Sequence, residues 1–186
     1  MFSYKSIPNS ISTLRILLSL FFAINICNVF VYGHANDLLL MVTFPAIIVS
    51  DVMDGYLARK LNCTSITGAK LDVIADGVYV ISSIATFAYF QVVPAWFVLV
   101  IVLKLSDFVI TSRIMRDRKK TDSVLFFDKL GIFAIRAVML LPGVFVFRCV
   151  IAEYALVMNI TTYVLTAMIV VSSWRRMTVV FGKNKV

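Results

Sequence analysis

The stretch Asp51-Val-Met-Asp54-Gly55-Tyr-Leu-Ala58-Arg59, with Gly68-Ala-Lys-Leu-Asp72-Val-Ile-Ala-Asp76 shortly after it, decides the interpretation of this chain. It places four carboxylates in two segments that are otherwise apolar enough to span a bilayer. An ionisable group at membrane depth is costly and rarely occurs there without a functional partner. Neighbouring acids repel one another unless a positive charge neutralises them, and magnesium, calcium and manganese prefer oxygen ligands. The pattern therefore indicates a site for hard divalent cations.

The composition indicates an integral membrane protein. Of the 186 residues, 61% are hydrophobic and 15% are charged, whereas a soluble domain carries about a quarter charged residues. The mean hydropathy is +0.95. Six apolar runs reach the length of about 20 residues that a membrane-crossing helix needs: Ile11–Tyr32, Leu38–Ala58, Leu71–Phe90, Val93–Ile110, Leu130–Ile151 and Tyr154–Trp174. We expect an all-α integral membrane protein with six transmembrane helices, and residues 1–186 as a single domain.

A cleaved leader and a zinc site are both disfavoured. The first apolar run is longer than the core of a signal peptide, and no small-residue cleavage site precedes the second run, so we expect it to be retained. The three cysteines form no CxxC pair, and the one histidine, His34, is not at ligand spacing from them. A zinc or thiol–histidine site is therefore not expected.

The basic residues predict the orientation of the chain. Most of them lie before or at the start of the first run, between runs two and three, between runs four and five, or after the sixth run: Lys5, Arg15, Arg59, Lys60, Lys70, Arg113, Arg116, Arg118, Lys119, Lys120, Lys129, Arg175, Arg176, Lys183 and Lys185. The opposite connections offer Arg148. By the positive-inside rule, we expect a multi-pass protein of the cell membrane with both termini in the cytosol.

This orientation brings the acids together at the cytosolic side. Asp51 and Asp54 fall near the end of the second run, and Asp72 and Asp76 near the start of the third. Spacings of i, i+3 and i, i+4 put each pair on one face of its helix. Two antiparallel helices can therefore direct all four carboxylates into one pocket, an active site within the membrane that faces the cytosol. Nearby glycines leave room for close approach, and Arg59 offers a fork of donors that suits a phosphate.

The motif resembles the signature of the CDP-alcohol phosphotransferases. Its fixed positions are Asp51-x2-Asp54-Gly55-x2-Ala58-Arg59-x8-Gly68-x3-Asp72-x3-Asp76, and this chain matches all of them. The stretch from Pro8 to Arg15 is similar to the opening Pro-Asn-x-x-Thr-x-x-Arg of the same family, with Ser12 where threonine is usual. Six spans with cytosolic termini also fit that family, whose members are homodimers. Beyond roughly residue 92, the resemblance is one of topology.

The resemblance implies an enzyme of phospholipid biosynthesis. It implies transfer of the phosphoalcohol of a CDP-alcohol, CDP-diacylglycerol above all, to a hydroxyl acceptor with release of CMP. Two divalent cations, Mg²⁺ or Mn²⁺, would be held by Asp51, Asp54, Asp72 and Asp76, and Asp76 would also accept the proton of the acceptor. The implied partners are the bilayer, the two substrates and a second copy of the chain, with no nucleic acid.

The resemblance also implies the site of the CDP-alcohol. The CDP-alcohol would be bound by Asn9, Ser12, Gly55, Arg59 and Ser65. The acceptor site is assigned from charge, because Arg113, Lys129 and Arg136 are cations at helix ends on the side of the pocket. Lys104 has Asp107 three residues after it, which indicates an internal ion pair instead.

The acceptor itself stays open. Glycerol 3-phosphate is the leading expectation, and serine, inositol and inositol phosphate are also compatible with the motif. Phosphatidylglycerophosphate synthases typically have proline and lysine where this chain has Val73 and Gly77, and Arg-Glu-Phe where it has Ser106-Asp107-Phe108. A cation transporter is the competing hypothesis from a different class, but it predicts acids at the bilayer midplane and paired broken helices.

Overall fold

Six α-helices form the described part of the chain, as the apolar runs predict. The computed structural model describes residues 7–33, 37–60, 66–117, 129–151 and 153–181. The helices are α1 Ile7–Tyr32, α2 Asp37–Lys60, α3 Ile66–Tyr89, α4 Trp96–Asp117, α5 Lys129–Val146 and α6 Tyr154–Phe181. Within them, four segments are long and apolar enough to cross a membrane: Ser10–Tyr32, Lys70–Tyr89, Lys129–Val146 and Tyr154–Val180. These features are those of an all-helical, multi-pass membrane protein.

Apolar side chains cover the outside of the bundle as well as its interior. Leu17 is 61% exposed on α1, Val42 is 60% exposed on α2 and Leu103 is 60% exposed on α4. Soluble monomers rarely expose large contiguous apolar patches, whereas helices that are apolar on all sides suit a lipid environment. The surface therefore agrees with the membrane setting that the composition predicts.

The helices pack as two groups that α3 connects. Helix α1 packs along α2 and α3, while α6 packs along α5 and α4. Helix α3 also contacts α4 and α5, so it lies at the centre of the bundle. Its Tyr79 and Phe87 are fully buried, and the Tyr79 hydroxyl donates to the backbone carbonyl of Met139 on α5 at 3.0 Å. Helix α3 can therefore fix acidic side chains against the neighbouring helices.

Several hydroxyl groups inside the bundle are satisfied within their own helices. Ser19, Thr86 and Thr162 donate to carbonyl oxygens four residues earlier, at 2.7, 2.8 and 2.7 Å. Lipid offers no hydrogen-bond partner, so polar groups at membrane depth must find one in the protein. Such local bonds let hydroxyl groups occur in a membrane bundle at little cost.

The turn between α3 and α4 closes the end of α3 with a Schellman motif. The amide of Val92 donates to the carbonyl of Phe87 at 2.9 Å, and that of Gln91 donates to the carbonyl of Ala88 at 3.1 Å. Gln91 takes a left-handed backbone conformation with φ of 58°, a position that glycine usually occupies. The motif satisfies the last carbonyls of α3 and lets the chain reverse within a few residues.

Helices α2 and α5 approach each other closely at Gly143. A Cβ atom at this position would lie 2.7 Å from Cζ of the Phe44 ring, closer than real contacts allow. On the same side of the bundle, the guanidinium of Arg148 pairs with the carboxylate of Asp37 at the start of α2. It also lies 4.5 Å from the centroid of the Phe145 ring. These contacts join α2 to the last turn of α5 and the residues after it.

The predicted spans differ from the helices at their ends, and α4, α5 and α6 do so clearly at their carboxyl ends. The span predicted to end at Ile151 stops at Val146 and continues as a turn. By contrast, α4 continues past Ile110 to Asp117 and α6 past Trp174 to Phe181. Hydropathy measures the lipid-facing length of a segment, and it does not detect polar turns that remain helical because they pack on a neighbouring helix. The polar turns of α4 and α6 do so through a network described below.

Candidate metal centre and active site

Carboxylates from α2 and α3 converge at one end of the bundle. Oxygen atoms of Asp51, Asp72 and Asp76 all lie within 4.8 Å of one another. Asp72 and Asp76 are one turn apart on α3, which gives both side chains the same direction. Asp51 comes from the second half of α2, which ends at Lys60. The prediction that these acids share a pocket is confirmed for the three whose side chains the structure describes.

The three carboxylates differ in their access to solvent. The side chain of Asp72 is 42% exposed, that of Asp51 is 34% exposed and that of Asp76 is 24% exposed. The exposure falls from Asp72 to Asp76 because α3 passes from the end of the bundle toward its interior. The cluster is therefore open on the Asp72 side and more enclosed around Asp76.

Arg15 of α1 lies in the middle of the acidic cluster. Its Nη1 atom donates to Asp51 at 3.0 Å, to Asp72 at 3.0 Å and to Asp76 at 2.7 Å. Its Nε atom also reaches Oγ of Ser50 at 3.4 Å. The Arg15 side chain is fully buried. Three helices thus contribute to the site, and the residue from α1 is a cation.

Sequence reasoning placed Arg15 in a family motif without predicting these contacts. An arginine at the start of an apolar run is ordinarily a cytosolic charge at the membrane surface. The signal that could have found its role is the match of Arg15 to the last fixed position of the opening motif. Its three partners depend on how α1 lies against α2 and α3, which no local pattern specifies.

The residues predicted to bind the CDP-alcohol are covered only in part. Ser12 is 3% exposed on α1, one turn before Arg15. Asn9, Gly55 and Arg59 lie on α1 and α2, and so does the fourth acid, Asp54, but their side chains fall outside the described part of the structure. Ser65 also lies outside the described residues. For these positions, the assignments remain predictions.

The predicted acceptor residues lie on α4 and α5. Arg113 is near the end of α4 and Lys129 begins α5, but Arg136 lies two turns further along α5, so the prediction of a helix end is wrong for Arg136. Arg113, Lys129 and Arg136 are all exposed. Of the three, Arg136 interacts electrostatically with the Asp51 carboxylate. Arg136 therefore adds positive charge near Asp51, and the acceptor-binding role of the three residues stays a prediction.

A second set of buried charges lies between α4 and α6. Nζ of Lys104 lies 3.5 Å from Oδ2 of Asp107, so the predicted internal ion pair is confirmed. It also donates to the hydroxyl groups of Ser172 at 2.8 Å and Ser173 at 3.2 Å. Nε of Arg176 is 3.8 Å from the same carboxylate oxygen. Two cations therefore share one acid, and sequence reasoning missed Arg176 because it assigned this residue to a cytosolic tail.

Apolar packing closes the interior side of the site behind Asp76. A small cavity of about 20 Å³ is bordered by Asp76 and Lys104 and otherwise by apolar residues: Val80, Ile101, Leu105, Ile135, Val138 and Ile169. This is room for about one water molecule. A substrate must therefore approach the carboxylates from the more exposed side, where Asp72 lies.

The donor set fits a hard divalent cation. Carboxylate oxygens are the ligands that magnesium and manganese prefer, and three of them already surround one positively charged nitrogen at 2.7–3.0 Å. Oxygens from two helices that can enclose a nitrogen atom can also enclose a metal ion after small side-chain rotations. Asp51, Asp72 and Asp76 are therefore suitable ligands.

The fold and this site define a multi-pass helical membrane protein with an acidic centre of three converging carboxylates. The sequence model of one family, described as CDP-alcohol phosphatidyltransferase, matches residues 5–181, which is nearly the whole chain. The chain belongs to the CDP-alcohol phosphatidyltransferase family.

Three curated relatives illustrate what the chain resembles. It is 31% identical to the CDP-diacylglycerol–glycerol-3-phosphate 3-phosphatidyltransferase of Bacillus subtilis over 115 residues. This stretch covers 57% of this chain and 58% of the relative. It is 34% identical to the CMP-forming cardiolipin synthase of Streptomyces coelicolor over 68 residues. This stretch covers 37% of this chain and 32% of the relative. It is 33% identical to a second CDP-diacylglycerol–glycerol-3-phosphate 3-phosphatidyltransferase, from Cereibacter sphaeroides, over 100 residues. This stretch covers 53% of this chain and 43% of the relative. The matches thus span less than two thirds of the length of each relative.

Proposed function

We propose that this protein is a membrane enzyme of phospholipid biosynthesis that transfers the phosphatidyl group of CDP-diacylglycerol to a small hydroxyl acceptor. The observation that carries the proposal is the convergence of Asp51, Asp72 and Asp76 within 4.8 Å, in a chain that matches the family over residues 5–181. That match also favours an enzyme over a cation transporter. In the reaction, an oxygen–phosphorus bond to the acceptor forms and the pyrophosphate bond breaks, so that CMP leaves.

The metal ligands follow from the acidic cluster. Asp51, Asp72 and Asp76 would hold divalent cations, Mg²⁺ or Mn²⁺. Asp54 would be the fourth ligand of the two-ion site that the family implies. Bound there, the ions would supply charge neutralisation for the pyrophosphate and the leaving CMP. A polyanionic substrate would otherwise be repelled by the carboxylates.

Asp76 is the proposed proton acceptor. It is the least exposed of the three carboxylates, at 24%, and it lies one turn beyond Asp72 on α3. The acceptor hydroxyl would give its proton to a carboxylate oxygen of Asp76 while its own oxygen forms the new bond to phosphorus. A base must be within hydrogen-bond reach of that proton, and the rigid central helix supports such positioning.

The donor is proposed to bind across the connection between α2 and α3. Asn9, Ser12, Gly55, Arg59 and Ser65 would contact its cytidine diphosphate, with Arg59 on the phosphates. The acyl chains need no protein pocket, because the outer surface of the bundle is apolar and they can remain in the bilayer beside it. The reaction would then take place at the cytosolic face.

Glycerol 3-phosphate is the first proposed acceptor, with Arg113, Lys129 and Arg136 as ligands of its phosphate. The support is the electrostatic interaction of Arg136 with Asp51, which brings a cation to the edge of the acidic site. A second candidate is cardiolipin formation, because one relative is named a CMP-forming cardiolipin synthase. In that reaction a hydroxyl of phosphatidylglycerol would be the acceptor. Serine, inositol and inositol phosphate are further candidate acceptors.

The test is CMP release from CDP-diacylglycerol by the purified protein in lipid nanodiscs with Mg²⁺ or Mn²⁺. Each reaction would contain one acceptor from the set of glycerol 3-phosphate, phosphatidylglycerol, serine, inositol and inositol phosphate, and CMP and the lipid product would be measured by chromatography. The proposal predicts CMP only when the right acceptor is present, with glycerol 3-phosphate giving the highest rate. CMP release without any acceptor, or no release with any of the five, would contradict it. Asp72→Asn serves as the inactive control.

A further inference from the structure

The strongest unexplained feature is that one nitrogen atom holds three carboxylates. Nη1 of Arg15 lies 3.0 Å from Asp51, 3.0 Å from Asp72 and 2.7 Å from Asp76. Each terminal nitrogen of a guanidinium carries two hydrogens. Two hydrogens therefore serve three acceptors, so at least one contact is shared or purely electrostatic. Arg15 therefore offsets part of the negative charge of the three acids, but Nη1 has fewer hydrogens than the carboxylates have acceptor sites.

The same nitrogen occupies the space that a metal ion would need. Nη1 lies 2.7–3.0 Å from Oδ1 of each of the three acids, one oxygen of each acid lies within 4.8 Å of the others, and divalent ions bind such oxygens at about 2.0–2.6 Å. An ion bound to all three carboxylates would therefore coincide with the present position of Nη1, or stand next to it with direct charge repulsion. The ion and Nη1 would therefore compete for the same Oδ1 atoms.

From this overlap we infer that Arg15 competes with the divalent cation for the carboxylates of Asp51, Asp72 and Asp76 and so lowers the affinity of the site for metal. The inference rests on the proposed metal-dependent function, and it adds a role for Arg15. Arg15 keeps the three neighbouring acids together through these contacts. Metal binding must first displace Nη1, while the contact of Nε with Ser50 offers a point about which the guanidinium can turn.

The consequence follows from linkage. A contact that exists only in the metal-free state stabilises that state, so it weakens metal binding by the same factor. Loss of Arg15 should therefore lower the stability of the metal-free protein and tighten the binding of metal. A residue that only holds α1 against α2 and α3 would lower stability in both states and would leave metal affinity unchanged or weakened.

The experiment measures Mn²⁺ binding to the full chain in nanodiscs, by electron paramagnetic resonance of free Mn²⁺, for the wild type and Arg15→Gln. We expect the dissociation constant to fall about tenfold or more, the factor that one charge-assisted hydrogen bond carries. Thermal unfolding should show a lower midpoint for the variant without metal and a midpoint close to that of the wild type when Mn²⁺ saturates. An unchanged or higher dissociation constant would overturn the inference.

Two further variants complete the test. Arg148→Gln breaks the partly buried contact with Asp37 at the other end of the bundle, so it should reduce stability with Mn²⁺ affinity unchanged. If Arg15→Gln does not fold, Arg15→Lys keeps the charge and should tighten Mn²⁺ binding to a smaller degree, and no tightening would again overturn the inference. Failure of the proposed function has a different signature, because the wild type would then bind Mn²⁺ without releasing CMP, or would bind none.

Discussion

At the level of single residues, charges that lie close together in sequence have different proposed roles. Asp76 is proposed to take a proton, and Arg59 is proposed to hold the phosphates of the donor. Both belong to the same motif, so activity alone does not separate their roles. Binding and turnover must be measured apart.

Asp76→Asn removes the proposed base but keeps an oxygen that can still contact a metal. We expect turnover to fall by at least about a hundredfold, the lower range of general-base effects, while the affinity for CDP-diacylglycerol changes little. Arg59→Ala should instead weaken donor binding by about ten- to a hundredfold, because it removes a charge-assisted contact of about 1.5–3 kcal/mol. Donor titrations and initial rates on both variants check this, and near-normal turnover of Asp76→Asn would refute the assignment.

The buried charges between α4 and α6 lead to a second prediction for single residues. Asp107 lies opposite both Lys104 and Arg176, and Oδ1 of Asp107 has no hydrogen-bond partner among the described residues. Asp107→Asn would leave two buried cations without a counter-charge, which costs about 3–5 kcal/mol in comparable cases. The thermal unfolding midpoint should drop clearly. Asp107→Asn combined with Lys104→Met should recover part of the loss, and no recovery would argue against electrostatic repulsion as the cause.

The sequence predicted some of these residues and not others, for a physical reason. Spacings of three and four residues along one helix are local, so Asp72 and Asp76 and the pair of Lys104 with Asp107 were predictable. Contacts across helices depend on how each helix is rotated and shifted against its neighbours. The positions of Arg15 and Arg176 in their clusters therefore required the structure.

Among the helices, the close approach of α2 and α5 is the most sensitive contact. Gly143→Ala would put a methyl group 2.7 Å from Cζ of Phe44, and overpacking of this kind costs about 1–3 kcal/mol. We expect a lower unfolding midpoint, and partial recovery when Phe44→Leu is added. Gly77→Ala is the matched control for stability, because its new Cβ would meet Cδ1 of Leu105 at 3.6 Å, an ordinary contact. Equal losses from both glycine variants would contradict the explanation.

The helices themselves were largely predictable from apolar runs, and their ends were less so. The end of α3 depends on a backbone motif at Gln91, a residue type that gives no turn signal. Helix α6 continues past Trp174 because the buried Arg176 finds partners on α4: its Nε donates to Oγ1 of Thr111 at 3.1 Å. Helix ends are thus set by particular tertiary partners, which hydropathy does not record.

For the molecule as a whole, the proposed six-span topology places both termini in the cytosol. Tags at Met1 and Val186 should therefore react with antibody or a membrane-impermeant reagent only after the cells are permeabilised. A tag inserted in the connection between α1 and α2 should instead be accessible in intact cells. Labelling of either terminal tag in intact cells would contradict the orientation derived from the basic residues, and with it the cytosolic position of the acidic centre.

The homodimer that the family implies is a separate proposal, which the mass of the purified protein in nanodiscs would test.

The proposed function depends above all on the three converging carboxylates at one end of the bundle, with Asp54 as the proposed fourth acid, that serve a metal-dependent phosphatidyl transfer. The most direct test removes the metal: the protein is treated with excess EDTA, and CMP release from CDP-diacylglycerol is measured with the acceptor that supports the highest rate. Because the polyanionic donor and the carboxylates repel each other without divalent cations, we expect complete loss of activity. Activity should return on addition of excess Mg²⁺ or Mn²⁺ to the wild type, and no activity should appear for Asp51→Asn or Asp72→Asn under the same conditions. Full turnover in excess EDTA, or full turnover of either variant, would contradict the proposal.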